Sequence, residues 1–248
     1  MEIVKTNKSA EEYEKLIKEM RELQTTFLDN MSHELRTPIT VILGYAGILA
    51  DELEDPELKE MAEIVLKSSN RLTESLNLLL DQSSIEAGTL KVDFEKIDVS
   101  EIIKNSTKIY KPVAEDKNLK LNFINNCGNV ICEIDKKMLE KVLDNLISNA
   151  IKYTKSGEIT VELNSTETDE NKYAQISVSD TGIGIEEEKQ SLIFEAFRQV
   201  SEGMNRLYQG TGLGLSVTKK FVELMNGKIF VKSKLNEGTT FTILFPQI

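Results

Sequence analysis

Apolar side chains at Leu16, Met20, Leu23, Phe27, Met31, Leu35, Ile39, Ile42, Ala46 and Leu49 stand three or four residues apart, with polar residues filling the gaps. Such a stripe runs along one side of an α-helix. The spacing predicts a single amphipathic helix over about residues 8 to 53. Asp55-Pro56-Glu57 then reads as a new helix start, with Asp as the N-cap and Pro at the first helical position. The second pattern, Leu58, Met61, Val65, Ser69, Leu72, Leu76, Leu79 and Ser83, is close to a heptad seam. It ends near Ala87-Gly88, where glycine suits a C-terminal cap. Two long helices joined by so short a turn form an antiparallel hairpin. A lone hairpin leaves one side of its seam in water. A second copy would cover it and give a four-helix dimer. The alternative is that the seam packs on the chain's own C-terminal half.

The remainder alternates helix and strand. A helix is expected after Asp98-Val-Ser100 to about Lys117, strands at Leu119–Ile124 and Val130–Ile134, and a helix over 135–153. Strands follow at Glu158–Leu163 and Ala174–Ser179. Next come a loop of low apolar content over about 198–209 and a helix from Leu213 to Met225, ended by Asn226-Gly227. Lys228–Ser233 and Thr239–Phe245 read as a hairpin. The expected fold is therefore multi-domain α plus α/β. Residues 1–90 form the hairpin, and residues 91–248 form an α/β sandwich with one mixed sheet and helices on a face.

Bulk properties narrow the function. The formal net charge of −11 argues against a broad nucleic-acid surface, since phosphate binding relies on clustered Lys and Arg. No apolar run reaches the roughly 18 residues of a membrane-spanning helix. The charged start, MEIVKTNKSAEEYEKL, lacks the apolar core of a secretory signal. Cys127 and Cys132 make neither a zinc spacing nor a disulfide framework, and both are expected to be buried strand residues.

Four segments carry chemistry. His33 lies in Asp29-Asn-Met-Ser-His33-Glu34-Leu-Arg-Thr37-Pro38 and is the chain's single histidine. A neutral imidazole is a competent nucleophile near neutral pH. Glu34 beside it can accept a hydrogen bond from the other ring nitrogen. Thr37 follows one helical turn later, on the same face. Pro38 leaves the carbonyl of Glu34 without its helical partner, so a bend is expected. Asn145 and Asn149 are four apart on one helix face, followed by Lys152 and Tyr153. Two amides facing a cleft can offer oxygen to magnesium and hydrogen bonds to phosphate. Asp180-Thr-Gly182-Ile-Gly184 directly follows a strand. A carboxylate there can accept from an exocyclic amine, while the glycines admit a flat base. Gly210-Thr211-Gly212-Leu213-Gly214 opens a helix whose N–H groups can cradle phosphates. Each segment alone has a plainer reading: a surface histidine, a polar helix face, a turn, a glycine-rich helix start.

Taken in order, the segments resemble a sensor histidine kinase of two-component signalling, from about residue 20 to 246. The first half is similar to the dimerisation and histidine-phosphotransfer domain, and the second to the ATP-binding domain of the GHKL superfamily. Ser-His33-Glu-Leu-Arg-Thr-Pro resembles the H box, Asn145 to Tyr153 the N box, and Asp180-Thr-Gly-Ile-Gly the G1 box. Phe194-Glu-Ala-Phe197 resembles the F box, Gly210-Thr-Gly-Leu-Gly-Leu the G2 box, and Glu237-Gly-Thr-Thr-Phe241 the short final box.

The resemblance implies the following roles. His33 is the phosphoacceptor, Glu34 its general base, and Thr37 a residue of regulator dephosphorylation. Asn145 holds magnesium, Asn149 and Lys152 contact the nucleotide, and Tyr153 lines its pocket. Asp180 binds the adenine amine beside Gly182 and Gly184. Residues 198–209 form a lid over ATP. Gly210, Thr211, Gly212, Leu213 and Gly214 approach the phosphates, and Thr240 of the final box joins the site. The F box departs from the pattern. Many relatives place an arginine two residues after its second Phe, for the γ-phosphate, and here that position is Gln199. Arg198 and Arg206 are nearby substitutes. The implied partners are a second copy of the chain, a response-regulator receiver domain and a sensor domain outside this sequence. The implied location is cytoplasmic, as for the soluble part of a membrane-bound sensor. A different GHKL ATPase would share the nucleotide boxes but have no use for the H-box hairpin. A degenerate scaffold would be expected to lose the boxes that remain here.

Overall fold

Helices α1 (Glu2–Glu52) and α2 (Pro56–Ala87) form the hairpin. The computed structural model describes residues 2–168, 171–198 and 211–248, and it divides into two units, Met1–Leu90 and Lys91–Ile248. In the turn, the Asp55 carboxylate accepts from the N–H groups of Glu57 at 2.9 Å and Leu58 at 3.3 Å, so the second helix starts where its cap lies. Gly88, at φ 67°, ends that helix by donating to the carbonyl of Ile85. α1 begins earlier than its apolar stripe requires and runs on as helix through Pro38.

The burial pattern of the hairpin is informative. Ser32, Ile39 and Ala46 on α1 stand seven apart and are buried, as are Ala62, Ser69 and Ser83 on α2 at multiples of seven. These are mostly small residues. The large ones of the seam stay in water: Leu23 is 70% exposed, Phe27 61%, Met61 60% and Leu72 54%. Among the described residues, no helix is long and apolar enough to cross a membrane.

In the second unit, β1 (Glu95–Asp98) leads into α3 (Val99–Glu115), followed by β2 (Leu119–Asn125), β3 (Ile131–Ile134) and α4 (Lys136–Tyr153). The chain continues through β4 (Gly157–Thr168), β5 (Asn171–Asp180), α5 (Gly214–Leu224), β6 (Lys228–Lys234) and β7 (Gly238–Pro246). Two short 3₁₀ turns, Glu187–Lys189 and Leu192–Phe194, lie between β5 and α5. The main sheet has the order β2-β4-β5-β7-β6, with β2 and β4 parallel and the other pairs antiparallel. Ile159, Val161, Leu163, Ile176, Val178, Ile243 and Phe245 line one face of it and are buried with Ile103, Leu139, Leu143, Leu146, Ile147 and Phe221 of the helices. Each such side chain contributes roughly 1.5–3 kcal/mol. A helix cap contributes typically about 1 kcal/mol, so the core outweighs the caps Asp98 and Asp135 in holding this unit.

Two expectations need correction. β1 was not legible; it pairs with β3 as a separate two-stranded sheet. Cys127 is not a strand residue. The Asn125 side chain accepts from the N–H groups of Cys127 and Gly128 and folds them into a turn, leaving Cys127 half-buried. Cys132 is buried in β3 as expected. Burial, and after it the charge of Asp98, pushes its thiol up to about 12, so it stays protonated and inert.

Candidate active site

The expected site residues form two groups, one on each unit. On the first, His33, Glu34 and Thr37 are exposed on α1. The Thr37 hydroxyl donates to the carbonyl of His33 at 3.4 Å, a long back-bond one turn away. Ser32, just before the histidine, is buried, which fixes the face of α1 that turns inward and leaves His33 outward.

On the second unit, α4, the end of β5 and the start of α5 come together. Leu143, Leu146, Ile147 and Ile151 anchor α4 in the core. The opposite side of each turn therefore presents Asn145 and Asn149 together. The Asn149 amide donates to Asn145 Oδ1 at 3.2 Å, and Asn145 Nδ2 donates to Thr218 Oγ1 of α5 at 2.7 Å. Both amides are thus oriented, and α4 is tied to α5. The approach depends on Gly214, because a Cβ there would lie 2.5 Å from Asn145 Oδ1. Lys152 stands over the Tyr153 ring, 5.0 Å from its centre.

Asp180 closes β5. Its Oδ1 accepts from the Gly182 N–H at 2.8 Å, and the Thr239 N–H also donates to the carboxylate. Burial pushes this carboxyl above its ordinary value, and the two N–H groups pull it partly back. A Cβ on Gly182 would lie 2.5 Å from the carbonyl of Tyr153, so the loop can lie against the end of α4 only with glycine there. Gly184 follows at φ 67°.

Helix α5 begins at Gly214 without a side-chain cap. The Thr211 hydroxyl accepts from the Leu213 N–H at 3.3 Å, and Leu213 is buried as an anchor. Gly212, at φ 72°, accepts from the Phe197 N–H at 3.0 Å, which ties the end of the Phe194–Phe197 segment to the glycine-rich start of α5. Phe194 packs edge-on against Phe241 with ring centres 6.3 Å apart. Arg198 pairs with Glu195 at 2.9 Å on an exposed surface. Gly210, Gln199, Arg206 and all but Arg198 of the lid expected over 198–209 lie outside the described residues.

Thr240 is not brought to this cluster. It opposes Ser179, with the two hydroxyls 3.0 Å apart, whereas Asp180 opposes Thr239. One step along a strand moves a side chain to the other face, so Thr240 points away from the face of Asp180. Thr239 is the threonine on that face. The signal was present in the sequence: Thr239, Phe241, Ile243 and Phe245 alternate as one face, and Thr240 does not share it.

Residues 134–248 match the family model described as histidine kinase-, DNA gyrase B- and HSP90-like ATPase. Residues 23–88 match the His Kinase A (phospho-acceptor) domain. The chain is 38% identical over 223 residues to the autoinducer 2 sensor kinase/phosphatase LuxQ of Vibrio parahaemolyticus, covering 89% of this chain and 26% of that protein. It is 37% identical over 229 residues to the sensor protein SrrB of Staphylococcus aureus, covering 91% and 38% respectively. It therefore spans only part of each curated relative. Among solved structures, full-length ShkA in complex with AMPPNP superposes with a TM-score of 0.72 at 25% identity, covering 89% of this chain and 45% of that one. The catalytic domain of the histidine kinase ThkA superposes with a TM-score of 0.54 at 27% identity, covering 62% and 98%.

Proposed function

The chain belongs to the sensor histidine kinase family, and on that premise we propose that it moves the γ-phosphoryl group of ATP to His33 and then to an aspartate of a response-regulator receiver domain. In the first step an imidazole nitrogen of His33 bonds to the γ-phosphorus, the bond to the β,γ-bridging oxygen breaks, and ADP leaves. Glu34 accepts the proton of the other ring nitrogen, which offsets the positive charge that develops on the ring. Asp180 takes the adenine amine, Asn149 and Lys152 meet the phosphates, and the uncapped start of α5 offers them N–H groups. The observation that carries this reading is the Asp180 carboxylate. It is part-buried, held by two N–H groups, and placed at the end of a strand beside a glycine loop.

Magnesium fits the residues present. Among the described residues, no group of three His, Cys, Asp or Glu side chains could hold a metal. Mg²⁺ in nucleotide sites takes one or two protein oxygens and completes its shell with phosphates and water. Asn145 would hold it through Oδ1. When bound, the ion neutralises charge on the phosphates.

Incubating the full chain with magnesium and labelled ATP should leave phosphate on the protein that is labile to acid and stable to alkali. Acid-stable phosphate, or none, would overturn the reading. The exposed seam of Leu23, Phe27, Met61 and Leu72 supports a homodimer through the hairpin, since monomers seldom leave such a stripe in water.

A second activity, removal of phosphate from the regulator, is assigned to Thr37. Its hydroxyl lies one turn beyond His33 on the same exposed face, where a docked receiver would place its aspartyl phosphate. The long 3.4 Å bond to the His33 carbonyl is weak enough to leave the hydroxyl free to orient a water. Thr37→Ala should slow regulator dephosphorylation at least about tenfold, roughly 1.4 kcal/mol of barrier, while autophosphorylation keeps nearly its full rate. Following the decay of a phosphorylated cognate regulator with each kinase plus ADP measures this. Equal decay rates, or a collapse of autophosphorylation, would make Thr37 structural.

A further inference from the structure

Ser233 stands on β6 in register with Thr239, on the face of the sheet that carries Asp180. Its hydroxyl meets three groups. The Ile185 N–H donates to it at 2.8 Å, it donates to the Gly238 carbonyl at 2.9 Å, and Thr239 Oγ1 lies 2.8 Å away. A serine hydroxyl has one proton and two lone pairs. The Gly238 carbonyl can only accept, so the Ser233 proton goes there. The Thr239 hydroxyl then donates to Ser233. Toward anything else, Thr239 Oγ1 offers lone pairs alone. The Asp180 carboxylate opposite it is an acceptor too.

Ser233 also holds the loop that follows Asp180. The Gln190 amide donates to the Ser233 carbonyl at 2.8 Å and to the Ile185 carbonyl at 3.2 Å. The Asn236 N–H donates to the Ile183 carbonyl at 2.7 Å. The segment from Gly182 to Ile185 is thereby strapped to the β6–β7 hairpin at two points, Ser233 and Asn236.

Resting on the ATP reading above, we propose that Ser233 is a positioning residue that sets adenine selectivity: by taking the Thr239 hydroxyl proton, it leaves the base edge facing two acceptors, Thr239 and Asp180. The exocyclic amine of adenine has two N–H groups to give to such a pair. Guanine carries a carbonyl oxygen at that position, which sets an acceptor against acceptors and leaves buried polar groups unpaired. Selectivity then comes from the direction of one proton as well as from the shape of the pocket.

Titrating the intact chain with ATP and with GTP, each with magnesium, tests this. Ser233→Ala frees the Thr239 hydroxyl to turn, and the ratio of ATP to GTP affinity should fall about tenfold or more. Ser233→Thr keeps the hydroxyl and should keep the ratio. A merely structural role would weaken both nucleotides alike and leave the ratio unchanged, and that result would overturn the proposal. If Ser233→Ala shows no cooperative melt, Thr239→Val decides. It removes the hydroxyl that Ser233 orients and should lose the same selectivity; a wild-type ratio there overturns the proposal. A wild-type chain that binds both nucleotides equally would defeat the Ser233 role alone. One that binds neither would defeat the ATP reading beneath it.

Discussion

His33→Gln in the full chain should bind Mg-ATP as tightly as the wild type and acquire no acid-labile phosphate. The glutamine amide has no nitrogen lone pair free for attack, so phosphohistidine should fall by at least about a hundredfold, some 2.7 kcal/mol of barrier. No other histidine can substitute, because the chain has one. Folding should barely change. The side chain is exposed on α1, where substitutions usually stay within about 0.5 kcal/mol. Every residue assigned to the nucleotide lies on the second unit, beyond Leu90, so the affinity for ATP should also hold. Measuring nucleotide affinity and acid-labile phosphate on the same preparation separates the two outcomes. Acid-labile phosphate on the mutant would remove His33 as phosphoacceptor. A lost affinity for ATP would mean that the histidine belongs to the nucleotide site.

Local rules carried most of the fold. Asp55 and Gly88 cap α2 as their types and positions predict, and Asp98 and Asp135 cap α3 and α4 by the same rule, because a cap is settled by a few neighbouring residues. The three- and four-residue stripes gave the helices, and alternation gave the strands. What failed was set by distant partners. Glu95-Lys96-Ile97-Asp98 is short and charged, with no strand signal of its own. It is extended because β3 pairs with it, next to the bond from the Asp93 N–H to Asp135. Cys127 was misplaced for a nearer reason: Asn125-Asn-Cys-Gly128 is turn composition, and the Asn125 side chain forms that turn.

The site followed the same division. His33, Asn145, Asn149 and Asp180 stood out because their chemistry is unusual for their setting and their spacing is local. The choice between Thr239 and Thr240 depended on the register of β7 against β5, which decides which of two adjacent threonines faces Asp180. Ser233 was invisible in the sequence. A serine on an edge strand means nothing until Ile185, Gly238 and Thr239 are seen to meet at its hydroxyl.

Asp180→Asn should cost ATP binding far more than it costs the fold. A charge-assisted hydrogen bond in a part-buried site contributes about 1.5–3 kcal/mol, which is roughly ten- to a hundredfold in Kd or somewhat more. The amide can present its NH₂ group to the adenine amine, donor against donor, which pushes the loss toward the upper end. The stability argument runs the other way. Burial holds the Asp180 carboxyl above its ordinary value despite the Gly182 and Thr239 N–H groups. A carboxyl raised in the folded state destabilises the fold when ionised. That cost is present above the folded-state pKa and fades as pH falls through it toward the unfolded value. An amide never ionises and never incurs it, so at neutral pH the melting temperature should hold or rise. Nucleotide titration and thermal melting on the same sample read both quantities. The expected pair is a weakened Kd with an unlowered Tm, the mark of a group kept for binding at some expense of stability. An unchanged Kd would remove Asp180 from the adenine site, and a Tm that falls together with the affinity would make it a structural residue instead.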